Sequence, residues 1–349
     1  MAPYPLESVV PSPDGRWLYV TAGDFPSNRL GIGKLDMESQ KVVGFLPLDG
    51  VNFITISGDG KRIYATQGCN LFGAPAPAWC HPPNLFSIVD AESSQVVSSV
   101  PVGDGPRYVA VTPDGRKAYV SNQWSNDISI VLNGAEDTAY LLGRSAEVIV
   151  VDMTRGEVVA RIPFAGGPIH VSRGLALTPD ESKLFVSDYY SQTVAVIDTF
   201  TKGLAARVPV ANLPSEIRIS QDGKRAYVLQ QQGTTMMTVI DVDTYDILRR
   251  IDFPISGSLD FELSADERYA YIADFDLNFV MVYDLQEGKV AKVIGVGLDP
   301  FNMVDTPDGR LIYVTNFTTD DISVVDTTIN TASKTIKLDG GSRQALGRL

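Results

Sequence analysis

The chain is punctuated by short apolar runs that alternate with polar residues and end in polar turns. Val194-Ala-Val-Ile197 and Ile322-Ser-Val-Val325 are examples, and alternation at period two over four to six residues predicts half-buried β-strands. A turn of the form Ser/Thr-x-Asp-Gly/Glu recurs seven times, with its Asp at 14, 59, 114, 180, 222, 266 and 308. Each turn leads directly into an apolar run such as Trp17-Leu-Tyr-Val20, Arg225-Ala-Tyr-Val228 or Leu311-Ile-Tyr-Val314. A second mark, an apolar or aromatic residue before Asp, closes a strand at Asp36, Asp90, Asp152, Asp198, Asp241, Asp284 and Asp326.

The two series interleave, so each repeat holds four strands: A before the first turn, B after it, C ending at the second Asp, and D leading onward. A single such sheet cannot cover both of its faces, whereas sheets stacked radially cover each other. The expected fold is therefore all-β, a seven-bladed β-propeller with four antiparallel strands per blade. It reads as one domain with blades near 5–49, 50–103, 104–166, 167–211, 212–254, 255–298 and 299–340. The first unit supplies its own strand A near Glu7–Ser12 and the last its own strand D near Lys334–Leu338, so no strand is exchanged between the termini.

Tyr313-Val-Thr-Asn316 is a literal YVTN tetrapeptide, and Tyr119-Val-Ser-Asn122 and Phe185-Val-Ser-Asp188 are close variants. On these motifs the chain resembles the YVTN-repeat propellers, grouped with lactonase-like and cytochrome-d1-like seven-bladed domains, over nearly its whole length. The resemblance implies the fold. For function it implies lactone hydrolysis, isomerisation, a redox-subunit role or plain binding alike, because activity resides in a site rather than in a scaffold.

From first to second Asp the spacing is 18 or 19 residues in blades four to seven, but 22, 31 and 38 in blades one, two and three. The excess falls in the B–C connections Gly68–Asn84 and Trp124–Glu147, a length at which loops tend to be functional or disordered. B–C and D–A connections share one face of a blade, so both insertions are expected over one mouth of the central channel. The long D–A segment Ala165–Arg173 of blade four joins them there.

Strand A starts, aligned on the turn Asp, place Glu7, Asn52, Arg107, Arg173, Glu216, Asp260 and Asn302 around that mouth. Such a ring suits a small polar or anionic ligand, although the first residue of an inner strand is polar in any wet channel. Arg218 and Glu262, deeper in the strands, read as a structural ion pair. After strand B come Phe25, Trp124, Tyr189, Tyr190, Phe275 and Phe317, with Phe72 and Trp79 in the blade-two insertion. An aromatic collar over a polar floor fits an amphipathic, ring-containing ligand; the alternative is packing between blades. The two histidines, His81 and His170, fall on the same face. His170 with Glu216, Asp260 or Tyr189 is the candidate acid–base set.

No metal-ligand spacing, phosphate loop, haem-attachment motif or nucleophile elbow is present, so no metal and no cofactor are expected. A net charge of −13 opposes nucleic acid and anionic membrane surfaces, and no apolar run is long enough to span a membrane. A soluble chain is expected. Cys69 and Cys80 could close a local disulfide or stay free thiols, and the start of the chain reads as no secretion signal, so cytoplasmic and secreted or periplasmic locations both stand. The reading is a small-molecule enzyme of the hydrolase, lyase or isomerase kind. The alternatives are a non-catalytic module for a ligand or protein partner, and a propeller subunit of a redox enzyme.

Overall fold

The computed structural model describes residues 8–24, 29–39, 41–68, 84–102, 105–111, 117–122, 127–132, 138–141, 147–152, 157–163, 174–189, 191–201, 203–319 and 321–337. Every regular element among them is a β-strand. The first sheet holds β1 (Val9–Pro11), β2 (Trp17–Asp24), β3 (Arg29–Asp36) and β4 (Lys41–Pro47); the second holds β5 (Val51–Ile56), β6 (Arg62–Gln67), β7 (Leu85–Asp90) and β8 (Gln95–Pro101). The 104–166 segment holds β9 (Pro106–Val111), β10 (Lys117–Asn122), β11 (Asp127–Leu132), β12 (Thr138–Leu141), β13 (Glu147–Asp152) and β14 (Glu157–Pro163). Blade four follows with β15 (Leu175–Leu177), β16 (Lys183–Asp188), β17 (Thr193–Asp198) and β18 (Gly203–Pro209). Blade five has β19 (Pro214–Ile219), β20 (Arg225–Gln232), β21 (Thr234–Asp241) and β22 (Ile247–Asp252). Blade six has β23 (Ser258–Leu263), β24 (Tyr269–Asp274), β25 (Phe279–Asp284) and β26 (Lys289–Gly295), and blade seven β27 (Pro300–Asp305), β28 (Leu311–Asn316), β29 (Asp321–Asp326) and β30 (Thr331–Lys337).

Six sheets have four antiparallel strands in chain order, as expected of an all-β propeller, and β1 and β30 each belong to their own sheet. The third blade departs from the expectation. Its strands form two three-stranded sheets, β9 to β11 and β12 to β14, so the segment read as a B–C loop contributes β11 and β12. The reason is visible locally: Asp127-Ile-Ser-Ile-Val131 alternates as Asp321-Ile-Ser-Val-Val325 does, and alternation forms strands wherever a partner edge is available. The blade-two insertion, residues 69–83, lies outside the described residues together with Cys69 and Cys80.

Contacts divide the chain into one unit of residues 1–63, 89–96 and 255–349 and a second of residues 64–88 and 97–254. In the first unit Val9, Leu18, Val20 and Leu35 of the first sheet pack on Tyr313, Ile322, Val324 and Ile336 of the last. Tyr271, Val280 and Val282 pack on Met303, Ile312 and Val314 between blades six and seven. In the second unit Phe185, Val194 and Val196 meet Ile217, Val228 and Ile240, and Tyr64 and Phe86 meet Val120. Burial of each of these side chains stabilises the fold by about 2 kcal/mol.

The repeated turn has a definite hydrogen-bond logic. The Ser or Thr hydroxyl donates to the Asp two residues on and accepts the backbone N–H five residues on, while the Asp accepts the N–H two beyond itself. In blade five Ser220 Oγ accepts from Arg225 N at 2.8 Å and donates to Asp222 Oδ1 at 2.6 Å, and Lys224 N reaches Asp222 Oδ1 at 3.0 Å. Blades one, two, four, six and seven repeat the set. The donors hold the Asp222 carboxyl below its ordinary value near 3.8, the Ser220 hydroxyl contributing most. The residue after the Asp has positive φ, 73° at Gly223 and 54° at Glu267, and only glycine takes that conformation without strain.

Ser220→Ala removes the acceptor for two backbone N–H groups and is expected to cost about 1 to 2 kcal/mol in urea titration. Because the Asp222 pKa is depressed on folding, its contribution is present above the unfolded value and is lost as pH falls below 3.8. The loss of stability below that pH should be shallower in Asp222→Asn than in the parent. Glu267→Gly relieves positive-φ strain and should raise the urea midpoint, by roughly 0.5 to 1 kcal/mol of stability.

Candidate functional site

Several inner strands begin with a β-bulge. Register jumps between Pro214 and Ile217 on β19, between Ser258 and Phe261 on β23, and between Pro300 and Asn302 on β27, with a similar shift opposite β9. A bulge re-aims the side chains it carries, and this one separates the residues read as a single ring. Asn52 and Arg107 stand second in their strands, whereas Glu216, Asp260 and Asn302 stand third. Asn52, Glu216 and Asp260 are buried, and Asn302 is half-buried.

In the first unit the bulge is held by the third letter of the YVTN signature. Thr315 Oγ1 accepts from Asn302 N at 3.1 Å, and Thr21 does the same for Ser8 N at 3.0 Å. Asn316, the fourth letter, donates to Asp321 Oδ1 at 2.7 Å and to Ser323 Oγ at 2.9 Å, closing the turn after strand B. Asp260 then links the two inner strands. Its Oδ2 accepts from Asn302 Nδ2 at 2.9 Å and Met303 N at 2.8 Å, and its Oδ1 accepts from Phe261 N at 2.8 Å. A carboxylate with three donors and 3% exposure is already engaged as an acceptor, which suits holding Asn302 in place.

In the same unit the structure gathers three phenyl rings, one of them Phe301, the residue before Asn302. Phe275 and Phe317, each directly after a strand B, meet edge to face at 6.3 Å between centroids, and Phe301 lies 6.0 Å from Phe317. Both predicted phenylalanines are half-buried. Sequence reasoning missed Phe301, whose signal was its place directly after the strand-opening Pro300. It also missed Asp274, opposite Ser258 in the register, whose Oδ1 accepts from Leu277 N at 3.0 Å. Burial pushes the Asp274 carboxyl up, and its Oδ2 has no partner among the described residues.

In the second unit Glu216 is ion-paired with Arg218 of its own strand. Gly174 is required where β15 begins, because a Cβ there would stand 2.1 Å from Ser215 O. Ser187 Oγ, from the Phe185-Val-Ser-Asp188 variant, accepts from Gly174 N at 2.6 Å and so repeats the clamp made by Thr315. Tyr189 is half-buried just after β16, and Arg107 stands on β9. Glu7, His81, Trp124, His170, Arg173 and Tyr190 lie outside the described residues, as do Phe25, Phe72 and Trp79. Among the described residues no cluster of three His, Cys, Asp or Glu could hold a metal, and no helix is long and apolar enough to cross a membrane.

A family model described as "Lactonase, 7-bladed beta-propeller" matches residues 84–302. The seven-bladed beta-propeller protein Rv1057 of Mycobacterium tuberculosis is 32% identical over 174 residues, 49% of this chain and 43% of that protein. Dihydro-heme d1 dehydrogenase of Pseudomonas aeruginosa is 30% identical over 120 residues, 34% of this chain and 24% of that protein. The match thus spans less than half the length of either relative. Among solved structures, hydrazine synthase of Kuenenia stuttgartiensis superposes with a TM-score of 0.71 at 18% identity, covering 94% of this chain and 97% of that one, a likeness of fold.

Asp260→Ala strands three donors and should lower stability by roughly 3 kcal/mol in chemical denaturation, with Asp260→Asn costing about half as much because one oxygen still accepts. Equal stability of all three proteins would show that the carboxylate does not tie β23 to β27.

Proposed function

The chain belongs to the lactonase family of seven-bladed β-propellers, and we propose that it is a small-molecule enzyme that hydrolyses a ring-containing, amphipathic substrate at the bulged ends of its inner strands. The observation that carries this reading is the Phe275, Phe301 and Phe317 cluster, whose Phe301 directly precedes Asn302, itself held by Asp260. Aromatic faces supply affinity for a flat ring, and one half-buried amide fixes the orientation of a polar edge such as a lactone carbonyl.

Asp260 acts here as a positioning residue, and Glu216 is engaged by Arg218, so neither is the base of this proposal. That role is proposed for His170, because imidazole is the side chain whose ordinary pKa lies nearest neutral pH. In the proposed step His170 takes a proton from water as the hydroxide adds to the carbonyl carbon, and the ring C–O bond breaks as the leaving oxygen regains the proton. Arg107, Arg173, Trp124, Tyr189 and Tyr190 in the second unit, and Asn52 in the first, remain candidate substrate-binding residues read from the sequence. A second reading, binding without turnover, is favoured by the engagement of Asp260 and Glu216. The name of the dihydro-heme d1 dehydrogenase relative supports a large, flat ligand for that case.

Dihydrocoumarin, an aromatic lactone, serves as the probe. The parent protein is expected to hydrolyse it faster than buffer, with proton release followed by a pH indicator. Phe317→Ala should raise KM about tenfold with little change in kcat, whereas His170→Ala should lower kcat at least about a hundredfold. Saturable binding without proton release selects the second reading. Unchanged kinetics in Phe317→Ala, Asn302→Ala and His170→Ala would remove the site from both.

A further inference from the structure

The turns joining strands A and B pack on one another from sheet to sheet. A Cβ on Gly60 would stand 3.1 Å from Pro13 of the preceding turn, and one on Gly309 would stand 3.0 Å from Ala265. In the second unit Gly223 approaches Pro179 in the same way, at 3.3 Å. Gly15 breaks the series. Nothing lies within 4 Å of its Cβ position, so the first sheet's turn does not rest on Pro307 of the last.

The signature tyrosines tell the same story. Tyr19 donates to Ala91 O of the next sheet at 3.3 Å, and Tyr271 donates to Asn330 Oδ1 at 2.5 Å. Tyr313 should make the corresponding bond to the first sheet. It is 2% exposed, yet no described residue partners its hydroxyl, which burial and the Asp308 charge keep protonated to higher pH than an ordinary phenol. A cavity of about 590 Å3 opens there, lined by Asp14, Asp308, Arg310, Leu311, Tyr313 and Asp326 among others.

Other seams indicate what such a space accepts. Between the first two sheets Lys34 Nζ sits 2.8 Å from Ala91 O and 4.5 Å from the Trp17 ring centroid. Between blades four and five Lys183 Nζ lies 2.9 Å from both Val242 O and Asp243 Oδ1, and 5.6 Å from the Tyr245 ring. Each seam sets an ammonium where a carbonyl and an aromatic face converge, a favourable cation site. In the last sheet both lysine positions are apolar. Val324 stands opposite Tyr313 as Lys34 stands opposite Tyr19, and Leu311 takes the turn position of Lys183.

Three carboxylates against one guanidinium leave this lining net negative. Asp14, Asp308 and Asp326 each use Oδ1 for their own turns, and among the described residues no hydrogen bond reaches their Oδ2 atoms. We propose that the seam pocket is a binding site for a small primary alkylammonium ligand, its ammonium among the Asp carboxylates and the Tyr313 hydroxyl and its alkyl chain along Leu311 and Pro13. The pocket lies at the opposite end of the inner strands from Asp260 and Asn302 and is independent of the hydrolytic reading.

The test is isothermal titration of the whole chain at low ionic strength with 1,5-diaminopentane, with 1,5-pentanediol as the uncharged isostere. The diamine should saturate a single site and the diol give no saturable heat. Tyr313→Phe and Asp308→Asn should each weaken the diamine about tenfold. Leu311→Lys, which supplies the chain's own ammonium, should abolish binding, while Asp59→Asn, the same turn position outside the pocket, should leave it unchanged. Equal binding of diamine and diol, absence of saturable binding, or parental affinity in Tyr313→Phe and Leu311→Lys would overturn the proposal.

Discussion

A four-stranded sheet with apolar side chains on both faces is unstable alone, and that constraint governs everything else in this chain. Strands β17 and β25 carry four and five buried residues in succession, so neither face is free for water. Their cover comes from the adjacent sheet, as when Val194 and Val196 meet Ile217 and Val228, or Val280 and Val282 meet Met303 and Val314. The turns are polar and self-satisfied because they make no such cover. Their Ser/Thr and Asp side chains close the backbone groups that a two-sided core leaves at its ends.

The same constraint explains the site. With both faces of each sheet committed to neighbours, freedom to present chemistry remains at strand ends, where the pairing can be interrupted. The bulges opening β19, β23 and β27 are such interruptions, and they turn Glu216, Asp260 and Asn302 out of the regular alternation. The threonine of the signature holds the interruption in place, so a motif that identifies the fold also shapes the irregular start of strand A.

Most of the architecture was legible because it rests on spacing. The two aspartate series fix where strands B and C lie, and the described strands fall between them. The third blade was misread because its inserted residues carry no Asp-Gly turn, although the alternation at Asp127–Val131 was a strand signal in its own right. The site was only partly legible. Phe275 and Phe317 follow strand B and could be found by position. Asp260 could be named from sequence but not its commitment to Met303 N, because a bond across sheets depends on how far a bulge shifts the backbone. Aligning by the turn Asp also merged two different bulge positions into one ring, since counting residues does not reveal on which side of an irregularity each one stands.

That β1 and β30 complete their own sheets has a consequence for the history of such a chain. Among the described residues no hydrogen-bonded pair of strands joins the two termini, and the first and last sheets each pair their strands within themselves. Tandem duplication or loss of one repeat at the gene level would leave every strand ladder whole and change only the number of interfaces. A propeller wired in this fashion can alter its size in one recombination event, whereas one that laces its ends into a shared sheet must first relocate the lacing.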